Sequence, residues 1–295
     1  MNAPNSCTNL KKAIERLAAG KGDAVRLGRA LADVVLGQML PDGVVKGGSA
    51  LLFRYGGAAT RYTRDVDAAR AIGEERYFAD LEERLSAGWC GFTGRLVAIE
   101  PAAPRGVPPA YVMKPFAVKL SYRGKAWMTV RVEVGHNEIG DADVAEKELA
   151  PDLAEAFEAL GFPRPAGIPL MRLPFQIAQK LHAVSQPGSL RAHDLVDLQL
   201  VLAQSAVDLA ETASVCRRLF SYRKRHAWPP RIEAGPGWDA LYAAALADVT
   251  DRRGVLPTVE EAVAWANALV AKIDAATNAT SLHAESGEGA KEPAP

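Results

Sequence analysis

The 295-residue sequence has only three cysteines, Cys7, Cys90 and Cys216, and they lie far apart. Zinc sites and disulfide frameworks use cysteines that recur at short, regular spacings, which this chain does not show. The cysteine content therefore excludes a disulfide-stapled scaffold and a cysteine-based zinc site. It favours a protein that works in a reducing compartment.

Long apolar runs are missing as well. No window of the sequence approaches the roughly 18 consecutive apolar residues that a membrane-spanning helix needs. The N-terminal stretch MNAPNSCTNLKKAIERLAAG lacks the apolar core of a signal peptide. We therefore expect a cytoplasmic protein with no membrane partner.

An excess of one charge is the third feature that the sequence does not have. The chain carries 35 basic and 35 acidic residues, so its net charge neither indicates nor excludes a nucleic-acid partner. Hydrophobic residues make up 48% and charged residues 24%, as in ordinary globular proteins. Any argument for a polyanionic partner must therefore rest on a local cluster of basic residues.

Hydrophobic periodicity indicates an α/β (α+β) fold with a mixed sheet followed by helices. We predict an N-terminal α/β lobe with two leading helices over residues 1–165, a helical C-terminal lobe over 166–275, and a disordered tail over 276–295. The boundary falls in the proline- and glycine-rich run GFPRPAGIP. The predicted strands cover Val44–Lys46, Asp65–Ala69, Thr93–Ile99, Phe116–Tyr122 and Trp127–Val134, and the predicted helices include 74–87, 174–185, 190–204, 207–221 and 258–275.

The central stretch of the sequence runs from Val44 to Asp67 and reads VVKGGSALLFRYGGAATRYTRDVD. The turn Gly47-Gly48-Ser49 lets backbone N–H groups approach an anion, and the helix N-terminus after it adds favourable partial charge. Taken alone, the turn is also explained as a strand-to-helix connection with Ser49 as the N-cap. It lacks the lysine-serine pair of a P-loop, so a Walker-type site is not supported.

Asp65 and Asp67 follow this turn on a predicted strand. Side chains two residues apart on a strand share a face, so the two carboxylates lie side by side and repel each other unless a cation sits between them. Glu133 occupies the polar face of another predicted strand, VRVEV. If the two strands are neighbours, Asp65, Asp67 and Glu133 form a site for Mg²⁺, the hard cation used in phosphoryl and nucleotidyl transfer.

These residues resemble a known family, the nucleotidyltransferase-fold AbiEii/AbiGii toxins, which include the MenT-type toxins. KGGSALLFRY followed by RYTRDVD resembles the first motif of that family. IPLMRLPFQIAQKLHAV followed by RAHDLVDLQLVL resembles the second, and RRLFSYRKRHAWPP is similar to its aromatic and basic segment. The resemblance covers residues 40–235 and implies a nucleotidyltransferase with a nucleoside triphosphate as co-substrate.

The resemblance also implies roles for individual residues. The glycine turn and a lysine would bind the phosphates of the nucleotide. The acidic residues would hold the metal and take part in catalysis. The sequence departs from the family where the usual arginine before the second motif's first aspartate is His193, with Arg191 two positions earlier. The implied set is Gly48, Ser49 and Lys180 for the nucleotide, Asp65 and Asp67 for the metal, and Asp65, Asp67, Lys180 and Asp194 for catalysis. Gly47, from the same turn, joins the predicted nucleotide site, and Glu133 joins the predicted metal site through the strand argument above.

The second acid of that motif, Asp197, lies one helical turn after Asp194. Acids in the first turn of a helix are favoured by the helix dipole, and this alone explains Asp197.

A local cluster of basic residues does occur, between positions 217 and 231. The segment contains no acidic residue and places Phe220, Tyr222 and Trp228 among its cations. Aromatic rings stack on bases and basic groups meet phosphates, although a solvated helix end explains the pattern equally well. The candidate RNA-binding residues are Arg217, Arg218, Arg223, Lys224 and Arg225.

The sequence as a whole predicts a toxin that transfers a nucleotide to an acceptor hydroxyl. By the resemblance, the leading acceptor is the 3′ end of tRNA, whose modification blocks translation, and the partner is a cognate antitoxin. Two alternatives stay open: the same chemistry with a protein or small-molecule acceptor, and a non-catalytic module that binds RNA or a protein partner.

Overall fold

The computed structural model describes residues 2–18, 24–100 and 113–285, with side chains described as far as Ala276. The chain divides into two compact units. The first comprises Met1–Arg172 together with Asp248–Asp251, and the second comprises Leu173–Ala247 together with Arg252–Pro295. We refer to them as the sheet unit and the helical unit.

Among the described residues, seven strands of the sheet unit form one mixed sheet. They are β1 (Gly43–Lys46), β2 (Asp65–Arg70), β3 (Phe92–Ala98), β4 (Lys114–Tyr122), β5 (Lys125–Gly135), β6 (Ala145–Glu148) and β7 (Ile168–Met171). Their order in the sheet is β3-β4-β5-β2-β1-β7-β6. The β2–β5 and β1–β7 pairs are parallel and the other four are antiparallel. The predicted mixed sheet is confirmed, with two strands more than the sequence indicated.

Five helices accompany this sheet: α1 (Cys7–Ala18), α2 (Ala24–Gly37), α3 (Gly47–Tyr55), α4 (Glu74–Ala87) and α5 (Pro151–Ala159). The bounds of α4 are those predicted from its periodicity, which buries Tyr77, Leu81 and Leu85 on one face. Acidic residues in its first turn, Glu74 and Glu75, suit the helix dipole.

Strand β5 shows how the sequence fixes the two faces of the sheet. Val130, Val132 and Val134 are each at most 3% exposed and join the core, whereas Arg131 and Glu133 lie on the opposite face. A one-residue slip would bury the two charged side chains and expose the three valines, so this register is strongly specified. The valines therefore determine which face of the sheet carries the acids.

The sheet unit extends seven residues beyond the predicted boundary at 165, to Arg172. Strand β7 causes the difference, since it pairs in parallel with β1 and antiparallel with β6. Ile168 and Leu170 are completely buried there. With only four residues, the strand is too short to show an alternating pattern in the sequence, and its place is decided by pairing partners far away in the chain.

The helical unit contains α6 (Leu173–Val184), α7 (His193–Gln204), α8 (Leu209–Arg223), α9 (Trp238–Ala247) and α10 (Val259–Glu285). Helix α8 begins where the Asp208 side chain accepts a hydrogen bond from the Glu211 backbone N–H. It ends at Lys224, which takes a left-handed conformation as the C-cap. The predicted helical C-terminal part is thus confirmed in type, and α9 is an addition to it.

Helix α10 continues to Glu285, so the predicted disordered tail is wrong for residues 276–285. The segment Ala276–Glu285 has several alanines and neither glycine nor proline, which favours continuation of a helix once it has begun. Residues 286–295 lie outside the described part of the chain. Although α10 is 27 residues long, neither it nor any other helix in the described ranges is apolar enough to cross a membrane.

Candidate active site

The glycine turn lies where β1 ends and α3 begins. Gly47 has a left-handed φ of +64°, and a Cβ there would overlap the Asp67 carboxylate. Glycine is therefore required twice, for the backbone conformation and for the close approach of the acid. The tertiary structure thus brings the turn and the second aspartate of the pair into direct contact, although the turn belongs to the start of α3 and Asp67 belongs to β2.

Ser49 is completely buried, and its Oγ donates a hydrogen bond to the Asp65 carbonyl oxygen at 2.7 Å. Thr63 Oγ1 donates to the same carbonyl at 3.2 Å. The residue at the N-cap of α3 is Lys46, with no side-chain cap, so the interpretation of Ser49 as the N-cap is wrong. The Ser49 hydroxyl instead holds the first residue of β2 in place. The backbone N–H groups at the start of α3 are the donors that a phosphate can use.

The three predicted acids lie on one face of the sheet. In the parallel β2–β5 register, Asp67 is opposite Glu133 and Asp65 is opposite Arg131. No three acidic, histidine or cysteine side chains of the described residues are close enough to form a metal cluster. Arg131 lies among the acids, with Nε 3.8 Å from Asp65 Oδ1 and Nη2 3.7 Å from Glu133 Oε1.

The donor chemistry of this face fits a hard divalent cation. Asp65 and Asp67 offer carboxylate oxygens, and the Asp65 side chain is 40% exposed. Mg²⁺ is commonly held by one or two carboxylates together with substrate phosphates, rather than by a cage made only of protein ligands. Asp65 and Asp67 offer two such carboxylates, and Glu133 is opposite Asp67 on β5.

Two basic residues near the turn are additions to the set predicted from the sequence. Lys46 is directly opposite Asp67 in the β1–β2 register, is 9% exposed, and places its Nζ close to Gly135. Arg61 places Nη2 about 3.5 Å from the position that a Cβ on Gly48 would occupy. Strand alternation could have identified Lys46, since it shares a face with the aspartates. Arg61 is recognisable in the sequence only as part of a basic turn.

Asp33 is a completely buried carboxyl on α2 beside this site. Arg29 donates from Nε to Asp33 Oδ1 at 2.8 Å, and Oδ2 has no hydrogen-bond partner among the described residues. Burial raises the pKa of Asp33 from 3.8 to about 7, against the lowering effect of Arg29 and with a contribution from nearby Asp65. Arg29 also donates to the Arg64 carbonyl, so the pair ties α2 to the residue that precedes β2.

The Asp33→Asn substitution is expected to remove a pH dependence of stability between pH 3.8 and about 7. The folded pKa lies above the unfolded one, so the native state binds the proton more tightly. Rising pH in this window therefore lowers the free energy of unfolding of the wild type, by at most about 4 kcal/mol.

This expectation is checked by urea unfolding at several pH values across the window, with wild type, Asp33→Asn and the surface control Asp80→Asn. The difference in free energy of unfolding between wild type and Asp33→Asn should change with pH, and the difference for Asp80→Asn should stay constant. Equal pH slopes in all three proteins would contradict the assignment of the raised pKa to Asp33.

Lys180 and Asp194 meet within the helical unit. Lys180 is 5% exposed, and its Nζ lies 2.9 Å from Asp194 Oδ1 and 2.6 Å from Asp197 Oδ2. Asp197 is 1% exposed and shares the lysine, so the helix dipole alone does not explain this acid. The lysine is buried because two acids from α7 neutralise it.

Arg191 pairs with Asp194 although it lies two positions before His193, the position at which the family usually has its arginine. Its Nε lies 2.7 Å from Asp194 Oδ2, whereas His193 Nε2 is 3.9 Å from Asp194 Oδ1. Burial alone would raise the pKa of Asp194, but Lys180 and Arg191 together hold it well below its usual range. Asp194 is therefore an ionised carboxylate with a salt bridge on each oxygen.

The candidate RNA-binding residues fall into two groups. Arg217 Nη2 pairs with Asp274 Oδ1 of α10 at 2.8 Å, and Arg223 lies 3.4 Å from His182 Nδ1. Both are partly buried and have structural partners. The other three residues are more exposed: Arg218, Lys224 and Arg225. They lie near Tyr222, which is 40% exposed and follows Arg218 by one helical turn.

The chain is similar to known proteins in sequence and in structure. The family model described as "Nucleotidyl transferase AbiEii toxin, Type IV TA system" matches residues 27–265. No curated protein matches the chain. The matched range contains both the glycine turn with its aspartates and the helices that carry Lys180 and Asp194.

Solved structures with a similar fold include two bacterial proteins. One is MenT4, a nucleotidyltransferase toxin from Mycobacterium tuberculosis H37Rv, with 18% sequence identity and a TM-score of 0.48 over 91% of this chain and 98% of that one. The other is JHP933 from Helicobacter pylori, with 15% identity and a TM-score of 0.43 over 88% of this chain and 94% of that one.

Proposed function

Because the chain belongs to the nucleotidyl transferase AbiEii toxin family of type IV toxin–antitoxin systems, we propose that it transfers a nucleotide to the 3′ end of tRNA. The donor is a nucleoside triphosphate, the second product is pyrophosphate, and the modified tRNA can no longer be aminoacylated. The observation that carries the proposal is the contact between Gly47 and the Asp67 carboxylate. It joins a phosphate-binding turn to a metal-binding acid, the two parts that nucleotidyl transfer needs.

The phosphates of the nucleotide bind at the start of α3. The backbone N–H groups of Gly48 and Ser49 have no partner within the first turn of the helix, and the helix dipole favours an anion there. Arg61, which reaches the edge of Gly48, adds a positive charge for the same phosphates. The buried Ser49 hydroxyl keeps the aspartate strand in register with the turn.

Asp65 and Asp67 hold the divalent cation, with Glu133 next to them on β5. A divalent cation held by these carboxylates would supply the positive charge that positions the triphosphate and activates the acceptor hydroxyl. The acceptor oxygen forms a bond to the α-phosphorus as the bond to the bridging oxygen breaks. Pyrophosphate leaves, and the hydroxyl proton passes to solvent.

Lys180 and Asp194 complete the proposed set, as the family resemblance implies. The Lys180 Nζ lies 2.9 Å from Asp194 Oδ1 and 2.6 Å from Asp197 Oδ2, and a lysine side chain held in this way suits a role in stabilising charge on phosphate. Arg191 fixes Asp194 from the other side and keeps that carboxylate ionised.

An RNA acceptor is supported by the exposed group Arg218, Tyr222, Lys224 and Arg225. Tyrosine can stack on an unpaired base while the three cations meet the phosphates. We place the reaction in the cytoplasm, where tRNA and triphosphates are available. The type IV family also implies a cognate antitoxin protein as the partner.

The proposal is tested by incubating the protein with Mg²⁺ and each of the four α-labelled triphosphates. Total tRNA, a protein fraction and an aminoglycoside are supplied as separate acceptors. We expect label on tRNA, and none on a matched tRNA sample whose 3′ end has been oxidised with periodate. Label on protein or on the drug would assign the alternative acceptor. RNA binding with a steep salt dependence and no nucleotide consumption would leave only the non-catalytic alternative.

A further inference from the structure

Arg131 projects from β5 into the acidic face described above. Its guanidinium lies 3.8 Å from Asp65 Oδ1 and 3.7 Å from Glu133 Oε1. Asp65 is its direct partner across the β2–β5 register, and Glu133 is two residues along its own strand. The contact with the acids thus follows from the backbone pairing and the strand alternation.

The charges at this face explain why a cation is needed there. Asp65, Asp67 and Glu133 share one side of two adjacent strands, and three carboxylates so placed repel one another. Arg131 supplies a positive charge within 4 Å of two of them. The guanidinium therefore offsets part of the repulsion in the unliganded protein.

The pairing is loose enough to be exchanged. Both nitrogen-to-oxygen distances exceed the range of a good hydrogen bond, and the side chains of Arg131, Asp65 and Glu133 are 52%, 40% and 32% exposed. Ion pairs of this kind contribute little to stability and are readily displaced. A divalent cation offers the same carboxylates a larger charge at a shorter distance.

We propose that Arg131 is a built-in counter-ion of the acidic face, which is displaced when the divalent cation binds and which thereby weakens metal affinity. The inference rests on the metal-binding part of the proposed function. Arg131 acts through Asp65 and Glu133, so it is a positioning residue. Its effect is to offset part of the repulsion among the acids without metal and to release the metal readily.

The direct test measures Mn²⁺ binding to the full chain in the absence of nucleotide. Electron paramagnetic resonance detects the free ion at each point of the titration. The Arg131→Gln variant removes the competing charge, so its Kd for Mn²⁺ should fall by roughly threefold to tenfold. Arg95→Gln is the matched control, since Arg95 is an exposed arginine on β3 of the same sheet. Its Kd should equal that of the wild type.

A second readout follows the apparent Tm. Without metal, Arg131→Gln should melt below the wild type because its acids repel one another, and saturating Mn²⁺ should remove that difference. If the glutamine variant does not fold, Arg131→Lys replaces it. Lysine keeps the positive charge but lacks the planar guanidinium that contacts Asp65 and Glu133 at the same time, so it competes less with the metal. The Kd of this variant for Mn²⁺ should therefore lie below that of the wild type.

The outcomes separate this inference from the function on which it rests. An unchanged or higher Kd in Arg131→Gln, with normal Mn²⁺ binding by the wild type, would overturn the counter-ion role alone. Absence of Mn²⁺ binding in the wild type and in all the variants, both without nucleotide and with a non-hydrolysable triphosphate, would overturn the metal part of the proposed function as well. A lower Kd in Arg131→Gln, with Arg95→Gln unchanged, supports the proposal.

Discussion

The Asp67→Asn substitution is expected to reduce nucleotide transfer by about a thousandfold while the protein stays folded. The amide has the size of the carboxylate, so its contact with Gly47 keeps its shape. It lacks the negative charge that a divalent cation needs, and that cation is worth several kcal/mol to the transition state. Removing one of several mutually repelling acids should leave the free energy of unfolding unchanged or slightly higher.

The measurement compares transfer rates for wild type, Asp67→Asn and Asp80→Asn with labelled nucleotide and tRNA. Asp80 lies on α4 of the same unit and forms a surface pair with Arg76, so its variant controls for the loss of one negative charge. Circular dichroism and the Tm establish that each protein is folded. Nucleotide transfer at an unchanged rate in Asp67→Asn would contradict the metal-binding role of this residue.

The Lys180→Met substitution is expected to destabilise the helical unit by about 3–5 kcal/mol. Methionine fills much of the same volume, but it deprives Asp194 and Asp197, two buried carboxylates, of the cation that they share. Arg191 still pairs with one oxygen of Asp194 and offsets only part of that loss. The effect is measured by urea unfolding, with Lys272→Met, an exposed lysine of α10, as the control.

A combined variant separates stability from catalysis at Lys180. Changing Asp194 and Asp197 to asparagine together with Lys180→Met removes all three buried charges, and much of the lost stability should return. If Lys180 and Asp194 act on the nucleotide as proposed, this refolded variant remains inactive. Recovery of transfer along with stability would assign the cluster a structural role only.

Sequence patterns predict the fold best where one segment decides its own structure. Helix α4 has the predicted bounds because its apolar positions recur at helical spacing and its first turn is acidic. Strand β5 is recognisable because its valines alternate with polar residues. In contrast, β7 has only four residues and is a strand because of its neighbours β1 and β6, which are distant in sequence.

The candidate site shows the same division. Strand alternation places Asp65 and Asp67 on one face, and the glycine turn is evident from its residue types alone. Three contacts of the site depend on residues that are brought together only by folding. Gly47 lies against Asp67, the Ser49 hydroxyl donates to the Asp65 carbonyl, and Arg191 rather than His193 pairs closely with Asp194. No local pattern contains that information.

The sequence by itself determined most of the elements, the candidate acids and glycine turn of the proposed site, and the family. Tertiary structure decided their partners: Asp67 against Gly47, Arg131 between Asp65 and Glu133, and Lys180 between Asp194 and Asp197. The physical reason is range. Periodicity and turn chemistry act over a few residues, whereas charges meet only after the strands and helices that carry them have packed.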